Sequence, residues 1–146
     1  MSKNSDEVYT TEFVFQTLGL RYDLDVCAPI GGAPWVPADK FYTIEDDGLA
    51  QPWEGRVWMN PPYSKPRPWI EKFIEHAHGI TLCPFSKANW IVDLWNSDAF
   101  IVSITATYQS RMFHRDGKKH TIFMPCILAA FGDECVAAIS RFSKAR

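Results

Sequence analysis

Two adjacent prolines, Pro61 and Pro62, constrain this chain more than any other feature. Neither has a backbone N–H to give to a sheet ladder, and each disfavours helical geometry in the residue before it, so an extended run that reaches them must stop there. The run that does so is apolar at Val57, Trp58 and Met59 and reads as a strand over 56–60, with Asn60 at its carboxyl end. Just beyond, the spacing predicts an amphipathic helix over 66–78, with Pro68 in its first turn and Trp69, Phe73, Ile74 and Ala77 on one face. Strand, proline turn and helix together make one unit of an alternating fold.

The rest of the chain continues the alternation. Thr10 or Thr11 can cap a short helix carrying Phe13, Val14, Thr17 and Leu18, closed by Gly19. A buried strand is predicted over 24–28, then a Pro- and Gly-rich loop over 29–37, a second strand over 40–44, and a turn at Glu45-Asp46-Asp47-Gly48. Strands over 80–83 and 100–104 flank a helix over 89–95. From Tyr108 to Phe131 two apolar runs on either side of a basic stretch predict an antiparallel pair closing the sheet, followed by a helix over 134–139. The expected class is therefore α/β: a mainly parallel sheet with an antiparallel C-terminal strand pair, helices on its faces and ligands at the carboxyl ends of its strands.

With 146 residues, 47% of them hydrophobic, the expectation is a single compact domain over 1–146 burying roughly 70% of its unfolded surface. The absence of an apolar run of about 18 residues and the polar start at Met1-Ser2-Lys3 argue against a membrane span or signal peptide, and for a soluble intracellular protein. Cys27, Cys83, Cys126 and Cys135 form no CxxC and lie mostly in apolar stretches, so reduced core thiols are expected rather than disulfides or zinc. His76 and His78, two apart, face different ways on a helix, and no metal site is predicted. The net charge of −2 conceals an asymmetry: ten acids and three bases in residues 1–55, against three acids and seven bases in residues 107–146. Chance surface variation produces such a bias; so does an acidic half that meets a cationic or hydroxyl-rich ligand and a basic end that meets phosphate.

The segment Asn60-Pro61-Pro62-Tyr63 carries the most specific chemistry. An exocyclic aromatic amine is a poor nucleophile because its lone pair is delocalised into the ring. A site that alkylates it must accept hydrogen bonds from its N–H groups and hold the nitrogen in line with the donor. Asn60 offers a side-chain carbonyl, Pro61 a backbone carbonyl, and Tyr63 a face on which a flipped base can stack. A Pro-Pro turn that merely ends a strand, with Tyr63 in the core, accounts for the four residues taken alone; the apolar strand before and the helix after favour the chemical role.

Read in order, these segments resemble the phage and prophage DNA N6-adenine methyltransferases. The likeness rests on Leu24-Asp25-Val26-Cys27-Ala28, on Phe41-Tyr42-Thr43 leading to Asp47-Gly48-Leu49, and on Trp53-Glu54-Gly55 before Val57-Trp58-Met59-Asn60-Pro61-Pro62-Tyr63-Ser64. It covers residues 8–85 well and is weaker beyond, where Ser110-Arg111-Met112-Phe113 is similar to a late Gly-Arg-x-Phe segment. The resemblance implies a Rossmann-like methyltransferase fold, S-adenosylmethionine as methyl donor without a metal, adenine in DNA as substrate, and a phage or prophage protein acting in the bacterial cytoplasm. By position it implies Asn60, Pro61, Pro62 and Tyr63 as the catalytic set. Asp25, Cys27 and Ala28 would lie against the cofactor, Thr11 and Phe13 near its methionine end, and Asp47 near its adenosine. Glu45 and Asp46 are close enough to replace Asp47, which also reads as an exposed turn acid.

The chain departs from the common methyltransferase pattern in two ways. A loop with Gly31 and Gly32 stands where a G-x-G normally follows the first strand, a departure the phage family shares. Only eleven residues separate Ile44 from Arg56, so fewer strands than usual are expected. Lys65 and Arg67, beyond the catalytic turn, and Arg111, Arg115, Lys118 and Lys119, in the basic stretch, are the candidate DNA contacts, a solvated hairpin tip being the plainer account of the latter four. Trp35 in its loop reads as core or as a cover for the cofactor. With no insertion long enough for a target-recognition domain, weak or short sequence specificity is expected, read by a few loops or with a second subunit in a homodimer. Methylation of cytosine N4, of an RNA base or of a protein glutamine amide meets the same chemical needs, and a non-catalytic DNA-binding relative would keep the fold without the cofactor.

Overall fold

The strand that ends at the prolines lies inside a six-stranded sheet. The structure is a computed structural model and describes residues 9–10, 12–62, 64–84, 89–103, 113–115, 118–119 and 126–144. In chain order the elements are β1 (Tyr9–Thr10), α1 (Glu12–Leu18), β2 (Tyr22–Asp25), β3 (Ala38–Phe41), a single 3-10 turn (Gly48–Ala50), β4 (Val57–Met59), α2 (Arg67–His76), β5 (Gly79–Pro84), α3 (Asn89–Trp95), β6 (Phe100–Ser103), β7 (Phe113–Arg115), β8 (Lys118–Lys119), β9 (Cys126–Phe131) and α4 (Asp133–Lys144).

The main sheet has the order β3-β2-β4-β5-β9-β6. β2 pairs in parallel with β3 and β4, and β4 with β5, while β9 runs antiparallel to both β5 and β6. Five strands therefore point one way, and β9 alone opposes them. The antiparallel pairing expected near the C-terminus is present, with partners the sequence did not reveal. β9 inserts between β5 and β6, and the basic strands β7 and β8 form a hairpin in a separate three-stranded sheet with β1.

Helices cover both faces. Val14, Phe15 and Leu18 of α1 and Cys135, Ala138, Ile139 and Phe142 of α4 pack on one face with Tyr22, Trp58, Ile80, Leu82 and Leu128. Ile70 and Phe73 of α2 and Trp90, Ile91 and Leu94 of α3 pack on the other with Leu24, Val57, Met59, Cys83, Ile127 and Phe131. Alternate residues of β5 and β9 thus feed opposite cores, and all six residues of β9 are buried, as an inner strand covered on both sides requires. Each large side chain among them, such as Phe73 at 0% exposure, contributes roughly 1.5–3 kcal/mol.

Several local expectations shift by a residue or two. The buried stripe of α1 is Val14, Phe15 and Leu18, with Phe13 and Thr17 only half-buried; the Thr17 hydroxyl instead donates to the Phe13 carbonyl at 2.9 Å. Gly19 closes the helix through its N–H to the Phe15 carbonyl. α2 ends at His76, and Ala77, exposed and left-handed at φ 58°, caps it rather than joining the apolar face, where Ile70 sits instead. α4 runs well past Ile139, since Phe142 reaches the core one turn further on. None of the four cysteines forms a disulfide, and three are buried. Among the described residues no group of His, Cys, Asp and Glu converges as a metal site, and no helix is long and apolar enough to cross a membrane.

Candidate active site

The sheet order decides where a ligand can enter. From β2 the chain moves outward to the edge strand β3, then returns to β2's other side as β4 and continues outward to β5. The connections therefore leave β2 and β4 in opposite directions, and at such a switch point the loops diverge to open a crevice at the strands' carboxyl ends. Asp25 ends β2, and Asn60 follows the last residue of β4. The register pairs Asp25 with Trp58, and the Val26 N–H donates to the Trp58 carbonyl at 3.1 Å, so Asn60 stands two residues, roughly 7 Å, further along the neighbouring strand.

The Asn60 turn is held from below and beyond. Thr81, fully buried on β5, donates its hydroxyl to the Met59 carbonyl at 2.9 Å, tying down the residue before Asn60. Pro61 is buried without a donor to extend the ladder, and the Lys65 N–H returns to the Pro62 carbonyl at 3.3 Å. Asn60 is half-buried, with its side-chain oxygen shielded from solvent. Tyr63 lies outside the described residues.

Asp25 is the most perturbed carboxyl of the site. It is 3% exposed, and burial pushes it up to about 7, against which the Cys27 N–H, donating at 3.3 Å, works only weakly. Among the described residues that N–H is its one hydrogen-bond donor, so most of its acceptor capacity is unused. Cys27 is half-buried and Ala28 buried; the Ala28 N–H donates to the Tyr42 carbonyl and the Tyr42 N–H to the Asp25 carbonyl, stitching the ends of β2 and β3 together.

The acidic turn after β3 sorts its three carboxylates. Asp46 accepts the Thr43 N–H at 2.8 Å and the Thr43 hydroxyl at 3.3 Å, so it serves the turn itself. Glu45 and Asp47 are exposed. Asp47 adopts the left-handed region at φ 57° and its side chain makes no capping bond to the following turn. The next residue must be glycine: a Cβ on Gly48 would stand 2.4 Å from the Val26 carbonyl oxygen and 3.1 Å from the Trp69 ring. That close approach brings Asp47 beside the backbone that follows Asp25. Asp25 and Asn60-Pro61 thus lie at the carboxyl ends of the neighbouring strands β2 and β4, with the Asp47 turn packed on the Val26 carbonyl that follows Asp25.

Residues 2–111, 110 of the 146, match the family model of DNA N-6-adenine-methyltransferase (Dam). The chain belongs to the DNA N-6-adenine-methyltransferase (Dam) family. It is similar to the DNA N-6-adenine-methyltransferase of Haemophilus phage HP1, 36% identical over 63 residues that cover 42% of this chain and 35% of the relative. It is also similar to the protein of that name from Escherichia phage T1, 33% identical over 93 residues, covering 59% of this chain and 38% of the relative. The chain thus spans little more than a third of the length of the curated relatives it matches.

The other residues expected for a member of this family are placed as follows. Phe13 lies in the first turn of α1, half-buried against the core, while Thr11 and Arg111 lie outside the described residues. Lys65 is exposed just past the turn. Arg67 is exposed too, with Glu71 at 3.6 Å and Asp93 at 3.5 Å around its guanidinium. Arg115 and Lys118 are register partners across β7 and β8, with Lys119 opposite His114; β7 lies beyond the matched segment and pairs with β1 ahead of α1. Trp35 packs half-buried against the core. Sequence reasoning missed Thr81, the packing of Gly48 on the Val26 carbonyl and Asp46's service to Thr43. A threonine amid an apolar strand and a glycine directly after an acid were the only signals, and neither names its partner.

Proposed function

We propose that the chain is a Rossmann-like, S-adenosylmethionine-dependent methyltransferase that acts on the N6 amino group of adenine in DNA. The observation that carries this reading is the juxtaposition of Asn60-Pro61 with Asp25 across the switch point of a parallel sheet, in a chain of the Dam family. The sheet supports the Rossmann-like assignment: its strands wind outward both ways from β2 and β4, with one antiparallel strand inserted near an edge.

The residues fit the cofactor. Asp25, a buried carboxyl with unused acceptor capacity, suits an ammonium group, Asp47 or Glu45 suits ribose hydroxyls, and Cys27 and Ala28 follow Asp25 directly along the chain. S-adenosylmethionine, when bound, supplies an electrophilic methyl on a cationic sulfur. The protein's part is to hold the acceptor amine. The Asn60 carbonyl oxygen and the Pro61 backbone carbonyl accept its two N–H groups, orienting the nitrogen and stabilising the positive charge that develops on it until a proton leaves. Tyr63 offers the stacking face for a base turned out of the duplex, and Lys65 a phosphate contact.

The test is incubation with labelled S-adenosylmethionine and unmethylated DNA, followed by nucleoside analysis. Labelled N6-methyladenine that disappears in Asn60→Ala, with cofactor binding kept, is expected. Label in N4-methylcytosine, or none in DNA, overturns the assignment. Short sequence specificity belongs to the same reading, and mapping of methylated sites on genomic DNA that returned a long, strictly obeyed motif would refute it.

A further inference from the structure

The turn that carries Asp47 is fastened to the helix that follows the Asn60 turn. Lys72, half-buried in the middle of α2, sends its ammonium to two backbone carbonyls of that turn, Leu49 at 2.8 Å and Gln51 at 2.6 Å. A lysine on an amphipathic helix ordinarily lays its stem on the apolar surface and leaves its charge in water. Here two of its three donors serve a segment more than twenty residues away, and the charge also stands 5.2 Å over the Trp53 ring.

Trp53 completes the fastening. It is buried, donates its indole N–H to the Gly48 carbonyl at 2.9 Å, and stacks on Trp69 of α2 at 6.4 Å and 26°. Trp69 in turn occupies the space a Gly48 side chain would need. Two further bonds hold the same loop: the Gln51 amide to the Asp46 carbonyl at 2.9 Å and the Tyr42 hydroxyl to the Pro52 carbonyl at 2.8 Å. All this surrounds Asp47, a non-glycine residue in the left-handed region, a conformation that persists only where its surroundings over-determine it.

We propose that Lys72, with Trp53, is a positioning residue for cofactor binding: it sets the Asp47 turn beside the end of β2 and references it to the helix that follows the Asn60 turn. The inference rests on the methyltransferase reading above. Neither side chain touches the reacting groups, so its loss acts on cofactor affinity and spares the chemistry once the cofactor is bound.

The experiment is steady-state methylation of DNA by the full chain carrying Lys72→Met or Trp53→Phe, with S-adenosylmethionine and DNA varied separately and cofactor binding measured by calorimetry. Lys72→Met is expected to raise the KM and Kd for S-adenosylmethionine about tenfold, with kcat at saturating cofactor within about twofold and the KM for DNA unmoved. Trp53→Phe keeps an aromatic ring and removes one hydrogen bond, so a rise of about threefold is expected, which tests the same point should Lys72→Met fail to fold. A cofactor KM unchanged in both variants, even with lowered thermal stability, overturns the proposal and leaves the contacts a purely structural tie. A fall in kcat at unchanged cofactor KM overturns it as well. Absence of saturable cofactor binding by the unaltered protein is a different failure: it overturns the underlying reading, and this one with it.

Discussion

Replacing Asp25 by asparagine should make the protein more stable, and by an amount that grows with pH. The carboxyl is 3% exposed, its one hydrogen-bond donor among the described residues is the Cys27 N–H, and burial pushes it from an ordinary value of 3.8 up to about 7. Between those two values the folded protein keeps a proton that the unfolded chain releases. The unfolded state then binds fewer protons, so stability falls as pH rises through the window and is flat beyond it. A shift of about three units corresponds to roughly 4 kcal/mol, a large part of a small protein's total. The substituted amide would keep the shape and the Cys27 contact without the titration. Urea denaturation of both proteins without cofactor, from about pH 4.5 to about pH 8, should show Asp25→Asn gaining on the parent by about 1.4 kcal/mol per pH unit until about pH 7, then running parallel to it. A difference constant to within about 0.5 kcal/mol over that range would refute the reasoning, because it would mean that Asp25 is solvated or compensated in the folded state. The same titration predicts that a cationic cofactor binds more weakly below about pH 7, by up to about tenfold per unit, and that Asp25→Asn removes this dependence along with much of the affinity.

Asp47→Asn tolerates the left-handed backbone but removes the charge, so cofactor affinity measured by calorimetry should fall about tenfold with little change in thermal stability; Glu45→Gln giving that loss in its place would reassign the role. Gly79→Ala should destabilise the fold by about 2–3 kcal/mol in chemical denaturation, since the new Cβ would stand 2.3 Å from the Val57 carbonyl oxygen at a φ of 146°. Lys65→Ala should weaken DNA binding and lower the salt-dependence slope by about one, whereas Arg67→Ala, whose charge already faces Glu71 and Asp93, should change it less. Equal slopes for the two variants would mean that those carboxylates give way when DNA binds.

The pattern of the chain alone determined the alternation of strands and helices, the stop of β4 ahead of the two prolines and the acidic turn after β3. Those features are local: prolines cannot donate hydrogen bonds, apolar period distinguishes strand from helix, and acids cluster where the backbone turns. Order along the chain also carried the family likeness, because the segments around Asp25, Asp47 and Asn60 follow one another in sequence whether or not their contacts are known. Side-chain burial was legible only to within a residue, as Phe13 and Phe15 of α1 show; seven residues of helix fix a stripe loosely until α4 and Trp58 choose the face.

What tertiary structure decided was partnership. Nothing local tells that Cys126–Phe131 slips between β5 and β6, or that β7 seeks out Tyr9–Thr10 more than a hundred residues earlier, because strand pairing joins segments without regard to their separation along the chain. Three adjacent acids looked interchangeable until Thr43 claimed Asp46, and nothing along the chain shows that the fold sets two backbone carbonyls within reach of Lys72. The raised Asp25 carboxyl has the same origin: its chemistry is that of any aspartate, and only the packing of β2 between two strands and two helical layers removes the water that would keep it ionised.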